Sequence, residues 1–136
     1  MERLSYILDT NVISDNVNSI EPTVTRTRRA FASGTLMYLC SPVAYEVMRG
    51  LLRTNAINKT RLYEKFASQL TRVDLTEADW KQAAQLWADM TSKGKQLSDV
   101  DLLLAALAMR LNAILVSSDA DFGVLPIRRE NWRSPS

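Results

Sequence analysis

The stretch LSDVDLLLAALAMRLNAILVSSDADF, residues 97–122, decides the fold. Ser98 opens a helix that runs to Leu111. Leu102 to Ala108 is apolar on nearly every side of that helix, and such a helix is buried. AILVSS, 113–118, follows at once with no polar alternation, the pattern of a strand covered on both faces. A buried helix feeding a buried strand predicts an α/β domain with a mostly parallel sheet.

The flanking sequence extends this pattern. Residues 4–8 and 35–40 read as strands, and 72–75 as a third, short one. Pro22 to Ser33 has helical spacing, with Gly34 at its close. Ser41-Pro42 predicts a helix start, hydroxyl cap then proline, and the helix continues through VAYEVMRGLLRT. A second helix, 56–70, carries Leu62, Phe66 and Leu70 on one face. Thr76 and Asp79 have capping-box spacing before a helix that ends near Lys93 and Gly94. LPIRR, 125–129, can add an edge strand.

At 136 residues the chain is expected to be one domain, 1–136. Met-Glu-Arg-Leu-Ser at the start does not read as a secretory leader, so none is expected, and no apolar run is long enough for a membrane span. The lone Cys40 cannot form an internal disulfide, so a cytoplasmic location is expected. There is no histidine. That removes His-based acid–base pairs and His-ligated zinc. Hydrolytic chemistry here has to run on carboxylates, hydroxyls, Lys, Arg and a hard cation.

The acids fall at strand ends and helix starts. Asp9 ends the strand in SYILDTNVIS, Glu46 lies one turn into the Ser41-Pro42 helix, Asp99 and Asp101 open the LLLAALA helix, and Asp119 and Asp121 follow AILV. Each has an ordinary reading. Asp9 can cap a helix beginning at Asn11. Glu46 can pair with Arg49. Asp101 can share a cap with Ser98. Asp119 and Asp121 can shape a turn. In a parallel sheet, however, these positions share one edge. Two carboxylates ~6 Å apart repel by about 3 kcal/mol at an effective dielectric of ~20. Four of them together cost on the order of 10 kcal/mol, comparable to the ~5–15 kcal/mol stability of a small domain. Either they do not converge, or some are protonated, or a cation sits among them. Oxygen-only ligands suit Mg²⁺ or Mn²⁺. Setting the six acids aside leaves nine others against 17 Lys and Arg. An acidic hole in basic surroundings suits a polyanionic substrate.

YILDTNVIS, SPVAYEVMRGLLR, LSDVDLLLAALAMRLNAILVSSDADF and LPIRRENW, in this order, resemble the PIN-domain ribonucleases, and among them the VapC-like toxins of toxin–antitoxin pairs. The resemblance implies a three-layer α/β/α sandwich and Mg²⁺- or Mn²⁺-dependent hydrolysis of RNA phosphodiesters. Its motifs match Asp9, Glu46, Asp101 and Asp119 as the catalytic acids. Asp9, Asp101 and Asp119 would hold the metal, with Asp99 as a further ligand beside Asp101. Thr10 and Asn11 would orient Asp9, Ser117 stands where threonine is usual, and Asp121 would lie in the outer shell.

The resemblance also implies a homodimer and an antitoxin that enters the active-site groove. The expected docking surface is the helical hairpin 42–70, with Val43, Tyr45, Leu51, Leu52, Leu62 and Phe66, although core packing is the ordinary reading of such residues. Rival readings are an RNA-processing nuclease of the same fold without an antitoxin, a non-enzymatic scaffold, a receiver-like signalling domain and a Mg²⁺-dependent phosphatase. The phosphatase chemistry wants an acid two residues after the first, and position 11 is Asn.

Overall fold

The computed structural model describes residues 4–134; the first three residues of the Met-Glu-Arg-Leu-Ser terminus lie outside the described residues. The elements run β1 (Ser5–Leu8), α1 (Thr10–Val17), α2 (Thr23–Ala32), β2 (Leu36–Cys40), α3 (Ser41–Arg53), α4 (Ile57–Ala67), β3 (Thr71–Val73), α5 (Glu77–Ser92), α6 (Asp99–Leu111), β4 (Ile114–Val116) and β5 (Arg129–Glu130). A 3-10 turn, Ala120–Val124, lies between β4 and β5. The strands form one sheet in the order β3-β2-β1-β4-β5, and every neighbouring pair is parallel. Helices flank it in two groups, α5 with α6, and α1 with α2, α3 and α4. This is the expected α/β/α arrangement.

The strand order sets the location of a site. The chain leaves β1 toward β2 and β3 on one side and later fills β4 and β5 on the other. The connections reverse direction between β1 and β4, and a crevice opens there at the carboxyl ends of the strands. Leu8 is opposite Val116, and the Asp9 amide donates to the Val116 carbonyl at 3.0 Å. Helices between parallel strands run antiparallel to them, so α3 and α6 both begin at that same edge.

α6 is the core helix its sequence predicts: every residue from Leu102 to Ala108 is buried. It ends at Asn112 in the left-handed conformation, φ +50°. The Thr76–Asp79 capping box forms in both directions, and Asp79 also accepts from Arg110 Nε at 2.8 Å. That ion pair ties α5 to α6. Two local expectations change. Helix α1 begins at Thr10, one residue before the expected Asn11, with Asp9 as its cap as expected. Ser41 is inside α3 rather than capping it, and Cys40 takes the cap position. The Ser41 hydroxyl instead donates to Asp74 Oδ1 at 2.6 Å, because the chain after β3 offers a carboxylate beside β2.

The far end of α1 is held by the C-terminal segment. Asp15 is buried and accepts from Arg133 Nε (2.8 Å), Arg133 Nη2 (2.9 Å) and Thr23 Oγ1 (2.8 Å). Trp132 is buried beside it, edge-on to Tyr6 with ring centroids 5.2 Å apart. Replacing Asp15 leaves buried Thr23 without its acceptor and one end of α1 untied. Asp15→Ala is expected to lower stability by about 2 kcal/mol, the cost of an unpaired buried donor with a rehydrated arginine. Urea denaturation followed by circular dichroism measures it, and an unchanged midpoint would show that the clasp does not hold α1.

Candidate active site at the sheet edge

Asp9 is the fixed point. It is buried, and its carboxylate is held by short bonds on both oxygens. Oδ1 accepts from the Thr10 amide at 2.8 Å, and Oδ2 accepts from Ser117 Oγ at 2.7 Å and Asn11 Nδ2 at 3.2 Å. The ordinary reading of Asp9 as a helix cap is correct. The cap also aims the carboxylate into the crevice.

Ser117 is the hub on the β4 side. Fully buried, its hydroxyl donates to Asp9 and accepts from Asn11 Nδ2 (3.2 Å) and the Asp119 amide (3.0 Å). Asn11 Oδ1 accepts from the Ser118 amide at 3.2 Å. The ends of β1 and β4 are thus laced together by Asn11 and Ser117. Asp119 caps the 3-10 turn, its Oδ1 accepting from the Asp121 amide at 2.9 Å. Asp121 itself is exposed, and its backbone braces Asp119.

Glu46 arrives from α3. Its Oε1 accepts from Thr10 Oγ1 at 3.0 Å, and its Oε2 lies 3.5 Å from Arg49 Nη2. The ordinary pairing with Arg49 therefore forms, and Thr10 joins Glu46 to Asp9 as well. Asp101 comes from α6, where its amide donates to Ser98 Oγ at 3.1 Å. Burial raises Asp9 above the usual carboxylate range; the Ser117 and Thr10 bonds oppose this, and Glu46 and Asp119 add to it. Asp101 is pushed up to about 6, first by burial and then by the charges of Asp9, Asp119 and Glu46, against the Ser98 hydrogen bond. The four acids are close enough to feel one another.

Asp99 does not join them. It is exposed and lines a groove of about 520 Å³ with Trp80, Trp87, Leu102 and Leu103. Successive helical residues turn by about 100°, so residues two apart face away from each other. Asp101 facing the crevice sends Asp99 toward α5.

The donor set is oxygen-only, and its unbalanced negative charge suits a hard divalent cation. As the side chains stand, no group of three or more acids among the described residues is closed enough to hold an ion.

A PIN domain family model matches residues 6–127. The chain belongs to the PIN domain family. This PIN domain is 34% identical over 89 residues to "VapC ribonuclease Mb1587" of Mycobacterium bovis, and the match spans 64% of each chain's length. It also superposes on the structure of VapBC2 from Rickettsia felis bound to a promoter DNA fragment. There the TM-score is 0.86 at 23% identity, covering 95% of this chain and 99% of that one. For DNA-bound VapBC from Salmonella typhimurium the TM-score is 0.83 at 24% identity, with 95% and 98% covered. At these identities the structural likeness concerns the fold.

Of the hairpin residues, Val43 is buried, and Leu51 and Phe66 pack against the core; Tyr45, Leu52 and Leu62 are more than half exposed, as is Ile57. Of the basic residues, Arg133 is charge-paired with Asp15, and Arg26 lies 3.9 Å from Glu130 and over the Trp132 ring. Arg128 and Arg129 donate to the carbonyls of Asn112 and Ser117 and keep their charge.

A raised carboxylate in the folded state binds its proton more tightly than in the unfolded chain. Asp101 therefore costs stability as pH rises from about 4 through about 6, with the full cost above that. In EDTA at pH 8, Asp101→Asn is expected to melt a few degrees above the parent. The gain is about 1 kcal/mol once solvent screening of this partly exposed group is allowed for. At pH 4 it should vanish. A lower melting temperature at pH 8 would mean that the capping role of Asp101 outweighs repulsion.

Proposed function

We propose that this PIN domain is a divalent-metal-dependent endoribonuclease and the toxin of a toxin–antitoxin pair. The observation that carries the reading is that acids from four separated segments meet: Thr10 joins Asp9 to Glu46, Ser117 joins Asp9 to Asp119, and the charges of Glu46 and Asp119 raise the proton affinity of both Asp9 and Asp101. The named VapC ribonuclease relative supports the choice of RNA.

Asp9, Asp101 and Asp119 would hold Mg²⁺ or Mn²⁺, with Glu46 alongside. When bound, the cation acidifies a water and offsets charge on the phosphate. The chain's own residues do the rest. Ser117, Thr10 and Asn11 lock Asp9 in one orientation, as groups behind a metal ligand do. A carboxylate of the set, Asp101 or Asp119, would take the water's proton. No histidine pair is present to drive attack by the ribose 2′-hydroxyl, so direct hydrolysis is the route.

An uncontrolled ribonuclease in the cytoplasm would be harmful, so a protein inhibitor belongs to the same proposal. Its docking surface would be the exposed Tyr45, Leu52, Ile57 and Leu62 on α3 and α4. Exposed apolar residues grouped on one hairpin suit a protein partner. A Mg²⁺-dependent phosphatase remains less suited, since Asn11 donates to Asp9 and supplies no second acid.

The test is cleavage of cellular RNA with end mapping. Products should carry 5′-phosphate and 3′-hydroxyl ends, EDTA should stop the reaction, and Asp9→Asn should lower the rate by more than about 100-fold, beyond the loss of an outer-shell partner. A 2′,3′-cyclic phosphate would refute the hydrolytic route. Equal cleavage by wild type and Asp9→Asn would refute the site.

A further inference from the structure

Arg49 stands out at the rim of the pocket. Among the described residues it is the one Lys or Arg ion-paired with any of Asp9, Glu46, Asp101 and Asp119. Its guanidinium carbon lies 5.2 Å from the centre of the Tyr45 ring, one helical turn back on α3. Both side chains are open to solvent, Tyr45 at 63% and Arg49 at 59%. Neither position is explained by stability. An exposed i,i+3 ion pair contributes little, and a tyrosine ring left in water forgoes the burial that aromatic residues usually gain.

The pair has the parts needed to hold one nucleotide. A tyrosine face stacks a base, and an arginine binds the adjoining phosphate in a forked geometry. The charge is complementary to a polyanion. The hold of Glu46 on Arg49 is also exchangeable, because Glu46 keeps its second anchor on Thr10. The groove beyond Tyr45 is lined by Met48 of α3, Tyr63 and Glu64 of α4, and Arg72 of β3. We propose that Tyr45 and Arg49 form a nucleotide-holding element at the rim of the acidic pocket. Tyr45 stacks a base of single-stranded RNA, and Arg49 leaves Glu46 to bind the neighbouring phosphate. The proposal rests on the ribonuclease reading and adds the residues that position its substrate.

The test is binding of a fluorescein-labelled pool of random single-stranded RNA 20-mers, followed by anisotropy over a NaCl series in EDTA, where cleavage is stopped. Each phosphate contact to a single strand contributes about 0.7 to the slope of log Kd against log salt. Arg49→Gln should lower the slope by about that amount, and Arg49→Lys should retain it. Tyr45→Leu should weaken binding about tenfold with an unchanged slope, and Tyr45→Phe should restore affinity. Melting temperatures of the variants should match wild type, since both side chains are exposed. A slope unchanged in Arg49→Gln, or wild-type protein that binds no RNA, would overturn the proposal. So would a Tyr45→Leu variant that binds as wild type does, which would leave this surface to a protein partner. Metal-dependent cleavage that is lost in Asp9→Asn tests the ribonuclease reading separately, so the two can fail independently.

Discussion

The parallel pairing of β1 with β4 governs the rest of the molecule. Leu8 opposite Val116 places Asp9 and Ser117 at the ends of adjacent central strands, and a hydrogen bond of 2.7 Å joins them across 108 residues of sequence. A slip of one residue would turn each side chain to the opposite face. The apolar cover of α6 fixes the register. Ile114, Leu115 and Val116 are all buried, and so is every residue of the helix from Leu102 to Ala108. The hydrophobic core therefore sets the spacing of the polar site at its edge.

Local hydrogen bonding and function do not compete here. Asp9 caps α1, Asp119 caps the turn after β4, Ser98 caps the helix that presents Asp101, and Glu46 pairs with Arg49. Each of these is a common stabilising device. For Asp9, Asp119 and Glu46 the bond also fixes the direction in which the carboxylate points. A short cap bond restricts a side chain that would otherwise turn away from its neighbours, so the energy gained locally offsets part of the repulsion gained globally. Asp101 bears the remainder, as its elevated proton affinity records.

Asp9 and Asp15, toward the two ends of α1, show how context decides chemistry. Both are buried aspartates. Asp15 meets Arg133 and Thr23, and these outweigh burial and keep it below the usual range. Asp9 meets only neutral donors, with acids nearby, and is raised. One is a structural tie; the other has no cationic partner among the described residues.

The sequence by itself determined the α/β class, because a buried helix running into a buried strand has few other homes. It picked out the candidate acids too, through their positions at strand ends and helix starts. The Thr76–Asp79 capping box was equally legible, being a contact three residues long. Tertiary structure alone set Asp99 in the groove beside Trp80 and Trp87, since which face of α6 meets α5 depends on packing. It alone separated the exposed Tyr45, Leu52 and Leu62 from buried Val43, and showed that Arg26, Arg128, Arg129 and Arg133 are occupied within the fold. Residue type and short spacing carry local hydrogen bonding and periodicity. Partners more than a hundred residues away, such as Arg133 for Asp15 or Ser117 for Asp9, exist only once the sheet has brought them together.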